Sequence, residues 1–195
     1  PKRVECFVEK EALIDVVAIA CRRYDVPYFA CKGYTSQSEM WRAGERLSGY
    51  VNSGQTPVVL YLGDHDPSGI DMTRDVIDRL EMFMGGAEVE RLALNMDQVR
   101  QFRPPPNPAK LTDSRAGGYI TKYGRSSWEL DALPPDVIVR LIEEAITSQI
   151  EDRLAWDRVV IRQRDEKDVL EKVSLRWDDV VHFITGGEDD DEFDA

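Results

Sequence analysis

An α/β fold on a mostly parallel sheet, flanked by helices and followed by a helical extension, is predicted by three observations. Short runs of β-branched and aromatic residues alternate with stretches of helical periodicity through the first half of the chain. The connections between them are a few residues long, as strand–helix–strand crossovers require. The last third carries helical periodicity without any strand pattern and ends in an acidic run.

Taken in order, Val4–Val8 reads as the first strand. The stretch from Glu11 to Tyr24 sets Leu13, Val16, Val17 and Ala20 at helical spacing. A second strand, Tyr28–Cys31, precedes a helix over Ser36–Asn52. The third strand, Val58–Leu62, runs into Gly63-Asp64-His65-Asp66-Pro67-Ser68-Gly69, and a helix is expected from about Ile70 to Met84. Val89–Leu94 is a fourth strand, and Asn95 can cap a short helix after it. Residues 103–127 hold three consecutive prolines, Gly117-Gly118 and Gly124, a texture that predicts a loop. This loop carries Arg103, Lys110, Arg115, Lys122 and Arg125 beside Tyr119, Tyr123 and Trp128, a mixture suited to phosphates and exposed bases.

Pro134-Pro135 opens a helical region with Ile138, Leu141, Ile142, Ala145, Ile146, Ile150 and Leu154 on one face. It is expected to continue to Val173 and to pack on the domain. A second amphipathic piece, Trp177–Ile184, stops at Gly186-Gly187. The expected division is a sheet domain over 1–132, including the loop, a helical extension over 133–185, and a disordered acidic tail over 186–195.

The 195 residues suffice for one such domain with an appended element. No apolar run approaches the ~18 residues of a membrane span, and the amino terminus lacks the apolar core of a signal peptide. A cytoplasmic protein without membrane contact is expected. With no initiator Met, the chain reads as an excised domain or a processed product. Cys6, Cys21 and Cys31 form no C-x-x-C pair, which argues against a disulfide framework or a zinc site and for buried thiols in a reducing compartment. The net charge is −12, and the six carboxylates between Glu188 and Asp194 supply half of it. The body is still acidic, so nucleic-acid binding would rest on local basic residues or on a metal.

The chemistry concentrates at strand ends. Asp64 and Asp66 follow the third strand one residue apart, and Glu9 ends the first. Ligands of open parallel sheets bind at the carboxyl ends of strands. If the two strands are neighbours, three carboxylates converge and repel one another unless a cation sits among them. Magnesium, a hard ion that prefers carboxylate oxygens, is the natural candidate, with manganese as a substitute. Between the aspartates, His65 is expected to pack or hydrogen-bond rather than ligate.

These residues resemble a known module. Glu9-Lys-Glu-Ala-Leu after the first strand, Lys32-Gly33-Tyr34 after the second and Asp64-His-Asp66-Pro-Ser-Gly69 after the third resemble the Toprim domain. The type is that of the tyrosine-bearing chain of topoisomerase VI and of the related meiotic double-strand-break transesterases. Glu129-Leu-Asp-Ala-Leu resembles a later segment of that family, and the likeness runs in matching order over roughly residues 3–146. The compact form is similar to phage or prophage Toprim proteins, which implies a prokaryotic or phage-infected cell. The resemblance implies that Glu9 is the general acid/base and a metal ligand, and that Asp64 and Asp66 hold magnesium. It places Lys32 and Gly33 near the passing phosphate and makes Glu129 an outlying carboxylate. Asp71 is a further outer candidate near the metal. Arg42, Arg46, Lys122 and Arg125 are the expected DNA contacts, with salt bridges to Glu39 or Glu45 the competing fate of the first two.

One departure matters. The family's nucleophilic tyrosine belongs to a winged-helix domain ahead of the Toprim, whereas all seven tyrosines here lie inside the module. The chain is therefore expected to need a winged-helix partner, or to use water as nucleophile. It could also be a non-catalytic metal- and DNA-binding module, and a homodimer is implied by the family. A phosphatase of the haloacid dehalogenase type also carries D-x-D after a strand. It would place that motif on the first strand and require a later lysine and acidic pair, and neither is found.

Overall fold

The computed structural model describes residues 1–31, 36–110 and 112–186. Two seven-residue strands, β1 (Lys2–Val8) and β3 (Thr56–Leu62), pair in parallel from Lys2↔Thr56 to Val8↔Leu62. The short β2 (Tyr28–Ala30) flanks β1, and β4 (Glu88–Ala93) flanks β3, so the all-parallel order is β2-β1-β3-β4. The two central strands are covered on both faces, which is why they read as near-continuous apolar runs.

Strand alternation sorts the core into two layers. Val4, Cys6 and Val8 with Val58, Leu60 and Leu62 join the buried faces of α1 (Ile14–Arg23) and α6 (Pro135–Ser148). Phe7, Val59 and Tyr61 join α2 (Gln37–Asn52) and α3 (Pro67–Met84). This is a Rossmann-like α/β arrangement. The polar exception is Glu5, fully buried in β1, which accepts from Arg46 Nε at 2.8 Å, Arg46 Nη2 at 2.7 Å and the Tyr50 hydroxyl at 3.0 Å. A buried carboxylate needs such a clamp.

Several expectations shift. The third helix starts at Pro67 rather than near Ile70, because Asp66 caps it and proline suits the first helical position. A short helix, α4 (Met96–Phe102), follows β4 as anticipated. The 103–127 stretch is not a plain loop. It contains α5 (Ala116–Tyr123), and β5 (Asn107–Pro108) pairs antiparallel with β6 (Ser126–Ser127). Two glycines weaken helix propensity, but the buried Tyr119 anchors α5, so tertiary contact overrides the local preference.

The helical region does not run unbroken to Val173. It ends at Ser148, whose hydroxyl bonds back to Ala145 O, and Asp152 starts α7 (Arg153–Leu175) by accepting from Ala155 N at 2.9 Å. The chain forms two units, Pro1–Gln149 and Ile150–Ala195, which moves the expected boundary from 132 to 149. Helix α6 belongs to the first unit because Val137, Ile138, Ile142, Ala145 and Ile146 are part of its core. In the second unit, α7 and α8 (Trp177–Thr185) bury none of their residues. Most of the acidic tail lies outside the described residues. Among those described, no helix is long and apolar enough to cross a membrane.

Candidate functional site

The connection after β1 leads outward to β2, and the one after β3 leads to β4 on the opposite side. The carboxyl ends of these two neighbours therefore border a topological switch point, where open α/β sheets bind ligands. Glu9 N donates to Leu62 O at 2.8 Å, extending the ladder by one rung. This sets the Glu9 side chain against the turn after β3, and its Oε2 accepts from Asp64 N at 2.9 Å. Asp66, next but one, accepts from Gly69 N at 2.6 Å and fixes the start of α3.

Two glycines make this closeness possible. A Cβ on Gly63 would stand 2.7 Å from Glu9 Oε2, and one on Gly69 would stand 2.2 Å from the Asp64 carbonyl oxygen. Gly69 requires the bare backbone, whereas a side chain at position 63 would displace the Glu9 carboxylate from its place.

The carboxylates perturb one another. Burial and then the Asp64 charge push the Glu9 carboxyl up to about 7; the Asp64 N–H works against this, and Asp66 adds to it. Burial also raises Asp64 above the usual carboxylate range, opposed by the Leu130 N–H, 2.7 Å from its Oδ1, and by Lys10. Lys10 Nζ lies 3.3 Å from Asp64 Oδ1, 2.8 Å from Glu129 and 2.9 Å from Asp131. Burial disfavours its charge, but these partners outweigh burial and hold the ammonium above the ordinary lysine range.

Beneath the turn lies Arg91, raised from β4 into the site. Its Nη2 donates to the carbonyls of Gly63 at 3.1 Å, Asp64 at 2.6 Å and Leu94 at 3.3 Å. Its Nη1 reaches Gly69 O at 3.0 Å and Thr73 Oγ1 at 2.6 Å. The Tyr61 hydroxyl is buried here with no hydrogen-bond partner among the described residues, and burial and then Glu9 raise its pKa.

His65 takes the packing role expected of it. Its backbone pairs with Trp128 in an isolated bridge, and its Nδ1 lies 2.8 Å from the Tyr119 hydroxyl. Burial lowers its pKa to about 4, so the ring is neutral at pH 7.

The other anticipated residues are dispersed. Lys32 and Gly33 lie outside the described residues. Arg42 is exposed on α2 and lines, with Arg46, a recess beside β2. Arg46 goes neither to Glu39 nor to Glu45, because the buried Glu5 holds it. Lys122 and Arg125 are exposed at the other end of the site, with Lys122 stacked on Tyr123. Lys122 also borders a cleft of about 250 Å³ with Pro67, Ile70, Arg74, Arg115 and Tyr123. Asp71 is paired with Arg74 at 2.8 Å and Arg115 at 3.6 Å. Glu129 contacts Lys10 and Asn107 Nδ2 rather than the aspartates.

The fit to a divalent cation rests on the donor set. Glu9, Asp64 and Asp66 each commit one oxygen to a backbone N–H, and the second oxygen of each accepts no hydrogen bond from the described residues. Three such oxygens suit a hard ion that keeps part of its water shell. Among the described residues, however, no three ligating side chains stand close enough to hold an ion as placed. Side-chain rotation would have to gather them. Sequence reading missed Lys10 and Arg91. The first is legible in hindsight as the cation inside Glu9-Lys-Glu, whereas no pattern marks Arg91 among the charges of its edge strand. No family model, curated protein or solved structure matches this chain.

Proposed function

We propose that this chain is a Toprim-type, magnesium-dependent module that cleaves DNA phosphodiester bonds, with water or a partner's tyrosine as nucleophile. One observation carries the reading: Glu9, at the end of β1, meets the Asp64–Asp66 turn and is pushed up to about 7. A carboxyl with that value holds and releases a proton at neutral pH, so Glu9 can protonate the leaving oxygen or take a proton from water. Asp64 and Asp66, with Glu9, would hold the magnesium, which when bound supplies Lewis-acid charge for the phosphate oxygens. Arg91 keeps the turn in place, and Lys122 and Arg125 offer phosphate contacts beside it.

The test incubates the pure chain with supercoiled plasmid and magnesium or manganese. Nicking is expected, with a loss of about 10²-fold or more in Glu9→Gln and abolition in Asp66→Asn, whose side chain still caps α3. Unchanged nicking in both variants would refute the assignment.

A second reading is favoured by Lys10, which already sets a positive charge against Asp64. In it the chain binds metal and DNA without cutting and works with a winged-helix partner. DNA retention without nicking, and cleavage only when a tyrosine-bearing domain is added, would select it.

A further inference from the structure

The cleft of about 250 Å³ noted above opens between the start of α3 and helix α5. Its wall begins at Pro67, the residue after Asp66, so whatever enters it lies next to the acidic corner. The volume is below the ~300 Å³ at which pockets for whole small molecules begin. It has room for one flat ring system, such as a nucleobase, and not for a base pair.

Three features of the lining identify the occupant. Tyr123 borders the cleft as a half-buried ring that its neighbours hold in place. His65 meets it edge-on, with centroids 4.7 Å apart and planes at 84°, and the Tyr119 ring lies 5.1 Å away. A fixed, part-exposed aromatic face is a stacking platform. The Lys122 ammonium rests over that ring at 5.1 Å and pairs with no carboxylate among the described residues. An exposed cation–π contact is weaker than base stacking, so a base can take the ring face while the flexible lysine moves to its phosphate. Gly118 also lines the cleft, and a Cβ there or on Gly117 would meet nothing within 4 Å. Two glycines weaken an exposed helix, and neither is needed here by packing. A bare helix face does let a flat ligand come close.

Charge points the same way. The chain carries a net −12, and Asp71 already holds Arg74 at 2.8 Å and Arg115 at 3.6 Å on the rim of the cleft. Duplex DNA is bound mainly through its phosphates and gains little from such a surface. An unpaired base gains stacking, which needs no net charge. A base inside a duplex is stacked on both faces and enters only if it is flipped out.

We propose that this cleft receives one unpaired base on Tyr123, and that single-stranded DNA is therefore the substrate class of the adjoining acids; the second clause rests on the phosphodiester reading above.

Fluorescence anisotropy of the full chain in EDTA reads binding without cleavage, with oligo-dT and a duplex of equal length as probes. Oligo-dT should bind about tenfold or more tightly than the duplex. Tyr123→Leu should remove most of that preference, and Tyr123→Phe should keep it. Gly118→Leu puts a better helix former into open space, so it should weaken oligo-dT binding about tenfold without lowering the melting temperature. Equal affinity for the two probes, a Tyr123→Leu variant that keeps the preference, or a Gly118→Leu variant that binds like wild type would each overturn the proposal. Equal affinities alongside plasmid nicking would remove the cleft assignment and spare the reaction. The expected preference without any nicking would do the reverse.

Discussion

At the scale of single residues, Glu9 carries the most information. Its carboxyl titrates near 7 in the fold against about 4.5 in the unfolded chain. The fold therefore holds this proton more tightly than the unfolded chain does. The resulting stability is complete below about pH 4.5 and is lost as pH rises through about 7. Glu9→Gln keeps an acceptor for Asp64 N and removes the charge. Compared by urea denaturation, wild type should fall behind this variant between pH 5 and pH 8, by no more than about 3 kcal/mol. Added magnesium should narrow the gap at pH 8 and leave it unchanged at pH 5. Glu9, Asp64 and Asp66 were legible in the sequence because each follows an unmistakable strand. Lys10, read only as part of a motif, and Arg91 were not, since their importance lies in reaching carboxylates and carbonyls that come together only in three dimensions.

At the scale of elements, β1 reads as a strand despite Glu5, and the structure explains how the charge is tolerated. Arg46 reaches across from α2 with two hydrogen bonds, and Tyr50 adds a third. Arg46→Ala would leave that carboxylate buried and unpaired, a loss of about 3–5 kcal/mol. Thermal unfolding should show it, and Glu5→Gln in the same background should recover part of it. The sequence also suggested that Arg46 faces DNA, because a helical face shows which residues lie together and not which buried partner claims one of them. The same limit hid α5: two adjacent glycines spoke for a loop, while the contact of Tyr119 with His65 and Ser126 decided for a helix.

At the scale of the whole molecule, the parallel sheet and its flanking helices were legible because alternation of strands and helices leaves few topologies open. The division into units was not, since helical periodicity continues past Gln149 and only the weaker amphipathicity of α7 sets it apart from α6. The core shared by β1, α1 and α6 is complete by Ile146. A chain ending at Gln149 should therefore keep a single cooperative unfolding transition, with a midpoint close to that of the first unit in the full chain. Differential scanning calorimetry would register it, and a broad, non-cooperative melt would show that the second unit supports the first.

Arg91 fastens four carbonyls around the Asp64 turn with one side chain. A backbone bolted in this way has no room to swing like a hinge, so any regrouping of the acids must come from torsions about their own side-chain bonds. Ion uptake at this corner should accordingly show no slow backbone phase in stopped-flow mixing, its rate being set by water leaving the ion and by rotation of carboxylates of which Asp64 is buried.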